Sequence, residues 1–180
     1  VEATSFRLAP TRSFRADAAA WLNLAPDHLD WHDSLDTYIA AKQRIFAQQR
    51  ATDAAIGFVD DPIVMAALAR APGRRRTFGR SGSDYRVDGG ELVGPSGPIA
   101  AIAGMWRSLP HDLTNALAAA ALVVGLPGGG APSTGLRRYA GGRRCDAVLL
   151  GLGIHLVGTV YRWPGHPGEA RRLGTTLING

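Results

Sequence analysis

Two short, almost wholly apolar runs with an amphipathic helix between them constrain this chain most. Residues 18–24 and 54–59 are each too short for a buried helix and read as strands covered on both faces. Ala25-Pro26 closes the first run. Between the runs, residues 34–50 place Leu35, Tyr38, Ile39, Lys42, Ile45 and Phe46 at helical spacing, with Ser34 as N-cap. After the second run, Asp60-Asp61-Pro62 turns into a further helix over 63–70, with Pro62 at its first position. Residues 1–8 read as a short strand ending in a loop. Residues 75–103 change texture, with short apolar segments at 75–78, 85–88, 91–93 and 99–102 punctuated by Gly, Ser and Pro. These predict small antiparallel strands, with a hairpin turn at Asp88-Gly89-Gly90. An Ala-rich helix over 113–124 follows, stopped by Gly125 and Pro127. The order predicts an α/β fold, a mostly parallel sheet with flanking helices and a small antiparallel insertion.

The 180 residues suffice for one domain and part of a second. A net charge of +5, carried mainly by arginine, suits an anionic substrate and equally suits a GC-rich genome. The arginine pairs and triplets, such as Arg74-Arg75-Arg76 and Arg143-Arg144, have no interleaved aromatics, so no nucleic-acid partner is expected. A lone cysteine, Cys145, forbids an internal disulfide and points to a reducing cytoplasm. No signal peptide is visible, and the apolar stretch at 115–126 is too short to span a bilayer. The chain opens on Val1 in an apolar segment, and truncation is expected.

Three segments carry candidate chemistry. The first is Asn23-Leu24-Ala25-Pro26-Asp27-His28-Leu29-Asp30-Trp31-His32, followed by Tyr38-Ile39-Ala40-Ala41-Lys42 on the helix. It places Asp27, His28 and Asp30 at the carboxyl end of a strand, where α/β folds hold ligands. By themselves these residues also describe a surface loop with a capping Asp, and Lys42 a helix lysine whose stem lies on apolar surface. An unrelated metal-dependent hydrolase built on Asp27, His28 and Asp30 needs further ligands that the sequence does not supply. The second segment is Val1-Glu2-Ala3-Thr4-Ser5-Phe6-Arg7-Leu8, with an acidic residue at a strand end. The third is Pro110-His111-Asp112-Leu113-Thr114-Asn115-Ala116-Leu117-Ala118-Ala119. An N-capped core helix explains its alanines but not His111 and Asn115 together. His32, His155 and His166 show no metal-ligand spacing and read as ordinary surface or core residues.

Together these segments resemble the Mur ligase family, whose central domain has an Asn-x-x-x-Asp-His-x-Asp loop and then a Tyr-x-x-x-Lys helix. The resemblance implies a P-loop-NTPase-like central domain and assigns roles position by position. Glu2 and His28 match metal-linked residues, and Lys42 matches a lysine carboxylated by carbon dioxide. A carbamate replaces a cation with an anion bearing two oxygens, which suits Mg2+. Thr4 and Ser5 match a hydroxyl pair at the substrate, with Thr4 in place of Ser, and Arg7 stands where Gln is usual. His111 and Asn115 match residues near the adenine of ATP. Asp112 stands where Asn is usual, and since an ionised Asp only accepts hydrogen bonds, Asn115 is the better adenine contact and Asp112 a helix cap. Phe6 and His111 match the branch that adds D-glutamate to UDP-N-acetylmuramoyl-L-alanine, better than the diaminopimelate- or lysine-adding branch or folylpolyglutamate synthases.

The resemblance covers residues 1–126 and continues faintly through a linker at 127–148, while 149–180 is a divergent tail for which a frameshift is one explanation. No Gly-x-x-x-x-Gly-Lys-[Ser/Thr] phosphate loop occurs in the sequence, nor a Ser-Lys-Ala-Thr-Asn motif. The expectation is a fragment of an ATP-dependent amide-forming ligase of peptidoglycan precursor synthesis, cytoplasmic, monomeric and inactive alone. The rival reading is a non-enzymatic remnant or pseudogene product.

Overall fold

Alternation along β1 decides the layers. Ala18 and Ala20 face one core, Ala19 and Trp21 the other, and all four are fully buried. The computed structural model describes residues 3–25, 31–105, 108–125 and 175–178. Within them lie α1 (Ser5–Leu8), β1 (Ala18–Trp21), α2 (Leu35–Ala47), β2 (Ala54–Phe58), α3 (Pro62–Leu68) and β3 (Arg74–Gly79). These are followed by β4 (Tyr85–Asp88), β5 (Glu91–Gly94), β6 (Gly97–Ala101), α4 (Pro110–Gly125) and β7 (Thr175–Ile178). The strands form one seven-stranded sheet in the order β6-β5-β4-β3-β2-β1-β7.

Helices cover both faces. On one, α4 lays Ala116, Leu117, Ala120 and Ala121 over Ala20, Ile56, Phe78 and Leu92. On the other, Leu8 of α1, Ile45 and Phe46 of α2, and Val64 and Leu68 of α3 share a core with Ala19, Trp21 and Ala55. Alanine on the strands lets the helices approach closely. Trp21, the largest fully buried side chain, donates its indole N–H to the Asn23 carbonyl at 2.8 Å. Removing such a ring costs about 3–5 kcal/mol.

The β1–α2–β2 and β2–α3–β3 crossovers join parallel neighbours, the first as the two apolar runs predict. A capping box starts α2: the Ser34 hydroxyl accepts from the Thr37 amide at 3.2 Å, and the Thr37 hydroxyl accepts from the Ser34 amide at 3.1 Å. Pro62 occupies the first turn of α3.

Two expectations are corrected. The segment over 1–8 is not a strand where it is described: Ser5–Leu8 is one helical turn. Extended Thr4 caps it, its hydroxyl accepting from the Arg7 amide at 3.4 Å, while Leu8 buries against the α2 side of the sheet. The 75–103 region is not antiparallel throughout. β3 runs parallel to β2, and β4 parallel to β3 through Phe78↔Tyr85 and Gly79↔Arg86. The Asp84 carboxylate pins that tight connection by accepting from the Thr77 amide at 2.8 Å and its hydroxyl at 3.1 Å. The antiparallel pairs are β4–β5 and β5–β6, in the same sheet. Gly89 (φ 55°) and Gly90 (φ 79°) make the expected two-residue hairpin turn, both in the left-handed region.

The linker at 127–148 and most of the tail at 149–180 lie outside the described residues; within the tail, β7 pairs parallel to β1 from Ala18↔Thr175 to Trp21↔Ile178. Among the described residues no helix is long and apolar enough to cross a membrane.

Candidate functional site

Ser5 and Lys42 lie 37 positions apart in sequence and meet through a stack of rings. The cap of α1 aims Ser5 inward, leaving it 1% exposed, and its hydroxyl lies 2.9 Å from His32 Nε2. The His32 ring is stacked 5.8 Å from Phe6, edge-on to Trp31 at 4.5 Å, and tilted 5.1 Å from Tyr38. Trp31 also meets Phe6 edge-on at 4.8 Å and keeps its outer side in solvent. One helical turn beyond Tyr38, Lys42 Nζ sits 5.0 Å from the centre of the tyrosine ring. Lys42 is 2% exposed.

That burial decides the chemistry available to the lysine. An ammonium removed from water needs compensation, and a cation–π contact supplies about 2 kcal/mol when desolvated. Carboxylation of Nζ would exchange the cation for a two-oxygen anion, a hard donor of the kind Mg2+ takes. Glu2 and His28, the other expected metal-linked residues, lie outside the described residues, as do Asp27 and Asp30. Among the described residues no group of three His, Cys, Asp or Glu side chains is placed to hold a metal ion.

The described residues on either side of 26–30 are held in place. On one side the Leu24 amide donates to Asp61 Oδ2 at 2.7 Å. Asp61 Oδ1 also accepts from the Ile63 and Val64 amides at 2.9 and 3.0 Å, so one carboxylate caps α3 and holds the exit of β1. On the other side Trp31 and His32 are fixed by the ring stack.

Thr4 and Arg7 are placed differently from each other. Thr4 is half-buried with its hydroxyl at the cap of α1. Arg7 is exposed, so the charge that replaces the usual Gln points to solvent.

His111, Asp112 and Asn115 open α4, on the opposite face of the sheet from α2. The structure therefore brings Thr4, Ser5 and Lys42 to one side and leaves His111 and Asn115 on the other. Asp112 is 1% exposed; α4 starts earlier than expected, so Asp112 is not its N-cap but the third helical residue, reaching back to accept from the Leu109 amide at 3.1 Å. His111 is exposed with Nε2 3.4 Å from Asp112 Oδ1, and Asn115 is half-buried. An open groove of about 400 Å³ lined by Gln43, Arg44, Phe46 and Arg70 lies between α2 and α3 and includes none of the expected site residues.

His32 is the residue that sequence reasoning missed. Read as an ordinary surface or core histidine, it is 5% exposed and joins Ser5 to Tyr38. The available signal was its place two residues before the Ser34 cap, where a ring can pack on Tyr38 in the first turns of α2, much as in a hydrophobic staple.

Comparison with known proteins bears on the whole described region. A family model described as the Mur ligase middle domain matches residues 1–123. A UDP-N-acetylmuramoylalanine–D-glutamate ligase of Frankia casuarinae is 43% identical over 130 residues, covering 68% of this chain and 27% of that protein. The ligase of the same name from Anaeromyxobacter dehalogenans is 35% identical over 175 residues, covering 87% of this chain and 37% of that protein. One from Burkholderia multivorans is 50% identical over 84 residues, 44% of this chain and 16% of that protein. The chain thus spans well under half the length of these curated relatives.

Proposed function

We propose, because the chain belongs to the Mur ligase family, that residues 1–126 are the central portion of a ligase that adds D-glutamate to UDP-N-acetylmuramoyl-L-alanine. The names of the relatives support the branch. The observation that carries the site is the burial of Lys42 against Tyr38. Such a protein works in the cytoplasm on a peptidoglycan precursor, and so in cell-wall biogenesis, cell shape and division.

In the intact enzyme ATP would phosphorylate the alanyl carboxylate to an acyl phosphate. The D-glutamate amine would attack that carbonyl carbon, and phosphate would leave from the tetrahedral intermediate. Glu2, His28 and carboxylated Lys42 would hold Mg2+, whose contribution when bound is to neutralise charge on the transferring phosphoryl group. Lys42 loses its positive charge on carboxylation and presents two oxygens from a rigid helix. Thr4, half-buried at the cap of α1, would offer its hydroxyl to the substrate. Ser5, engaged with His32, fixes that segment from within. Asn115 would pair with the adenine edge, with His111 beside it, and a monomer suffices for this chemistry. Residues 1–126 form the central-domain portion, 127–148 lead toward a C-terminal domain, and the divergence after 149 fits a shifted reading frame.

The test is a chimaera with residues 1–123 in place of the matching segment of the Frankia casuarinae ligase. It should release phosphate only with ATP, UDP-N-acetylmuramoyl-L-alanine and D-glutamate together. Lys42→Ala should lower that rate about 100-fold or more, as loss of a metal-site group does. A folded chimaera that accepts diaminopimelate or lysine instead, or is indifferent to Lys42→Ala, would sink the proposal. The 180-residue chain by itself should release none, because it carries no phosphate-loop sequence.

A further inference from the structure

We propose that His32 is a positioning residue, which ties the segment bearing Thr4 and Ser5 to the helix bearing Lys42. The importance of those three residues rests on the function proposed above; the tether itself rests on geometry. His32 and Ser5 are 27 positions apart, with β1 between them in sequence. Their side chains nevertheless meet at 2.9 Å inside the protein, at 5% and 1% exposure. From His32 the contacts continue to Tyr38 at 5.1 Å, and from the Tyr38 ring to Lys42 Nζ at 5.0 Å. An unbroken line of packed groups therefore runs from the cap of α1 to the lysine.

The choice of side chain supports a tether over a filler. An aromatic hydrocarbon would satisfy Phe6, Trp31 and Tyr38 as well as an imidazole does. It would also leave the buried Ser5 hydroxyl without this partner, a cost that buried polar groups in folded proteins avoid. The imidazole meets both demands, stacking with its faces and bonding through Nε2 in one direction only. That direction fixes where α1 starts relative to α2. A serine–histidine pair at 2.9 Å also has the spacing of a nucleophile and its base. Here Ser5 is 1% exposed, so no carbonyl carbon reaches its oxygen, and the pair positions instead of attacking.

The experiment is amide hydrogen exchange on the 180-residue chain with two variants. His32→Phe keeps a ring and its bulk but removes the nitrogen; His32→Gln loses the ring but keeps a polar group at similar reach. The amides of Arg7, Leu8 and Ala9 report on the tether, because they bond to the Thr4 and Ser5 carbonyls at 3.1, 3.0 and 2.8 Å. In His32→Phe they should exchange about tenfold faster, the effect of one lost buried hydrogen bond on a local opening. The Met65 and Ala69 amides of the α3 region should keep their rates, and His32→Gln should recover most of the protection. The proposal is overturned if His32→Phe leaves the three amides as they are. It is equally overturned if α1 and α3 lose protection together, or if Gln restores no more than Phe does. A carbon-13 spectrum of the wild-type chain in labelled bicarbonate, with Lys42→Arg as the blank, separates the two readings. A missing carbamate signal there counts against the role of Lys42, while the exchange data alone decide the tether.

Discussion

Two charged side chains are buried in this fold. Lys42 lies by the Tyr38 ring, and Asp53 is fully buried beside one guanidinium and one backbone amide. Arg15 donates to both Asp53 oxygens, and the Arg50 amide donates to Oδ2 at 2.7 Å. Burial alone would raise the Asp53 pKa, but the hydrogen bonds from Arg15 and the Arg50 amide outweigh it and hold the carboxyl below its ordinary 3.8. A carboxyl with a lowered folded-state pKa stabilises the protein above its unfolded-state value, and that contribution disappears as pH falls through the folded value. Comparing thermal midpoints of wild type and Asp53→Asn should therefore show the largest gap near neutrality. The gap should narrow as the pH falls into the window that opens at the ordinary 3.8 and extends below it. A gap that stays constant over that window would mean that the Asp53 charge is not what stabilises the junction. Legibility at this scale followed distance along the chain. Lys42 could be read because Tyr38 stands one turn away and both fall on a visible helical period. The Ser5–His32 and Arg15–Asp53 pairs could not, since their partners are 27 and 38 positions apart and no local pattern links them.

Among the elements, the boundaries that matter most are set by single polar side chains. Asp61 does the work of two: it caps α3 and accepts from the Leu24 amide just before residues 26–30. The Asp60-Asp61-Pro62 turn predicts the cap, but nothing local predicts the bond to Leu24, which depends on β1 and β2 lying side by side. Asp61→Ala should lower stability by about 2 kcal/mol, the upper range for a lost N-cap, because an amide at the end of β1 loses its acceptor as well. Asp61→Asn keeps the cap and should recover at least half of that loss. Denaturant unfolding of the two variants checks both figures; equal losses would assign the effect to charge instead of hydrogen bonding. The same dependence on long-range pairing explains the two misread elements. An apolar octet beginning Val1-Glu2-Ala3 looks extended until Thr4 caps a turn against α2. The segment at 74–79, with three successive arginines, gives no hint that it runs parallel to a buried neighbour.

For the molecule as a whole, the apolar strand β1, next to the edge strand β7, governs what it tolerates. Ala18–Trp21 is buried on both faces, so its pairing edges are the remaining route to exposure. One edge is paired with β2 and the other with β7, in parallel register over four residues. An apolar strand with an unpaired edge is a template for association with other chains. Thr175-Thr176-Leu177-Ile178, β-branched and bounded by Gly174 and Asn179, carries a short strand signal that the Gly-, Pro- and Arg-rich composition of 161–180 obscures. Cutting the chain after residue 172 removes β7 and uncovers the row of N–H and C=O groups along β1. The shortened chain should scatter more light on concentration and unfold at a lower temperature than the full one. A full-length Thr175→Pro/Thr176→Pro variant tests the same pairing without changing length, since one of two consecutive amides on the edge strand β7 faces β1 and proline removes it. If both variants remain as dispersed and as heat-resistant as the parent, β7 is not what protects β1. If both aggregate, the edge beside β1 must be covered for the central domain to persist, and any larger protein containing this segment must supply a strand there.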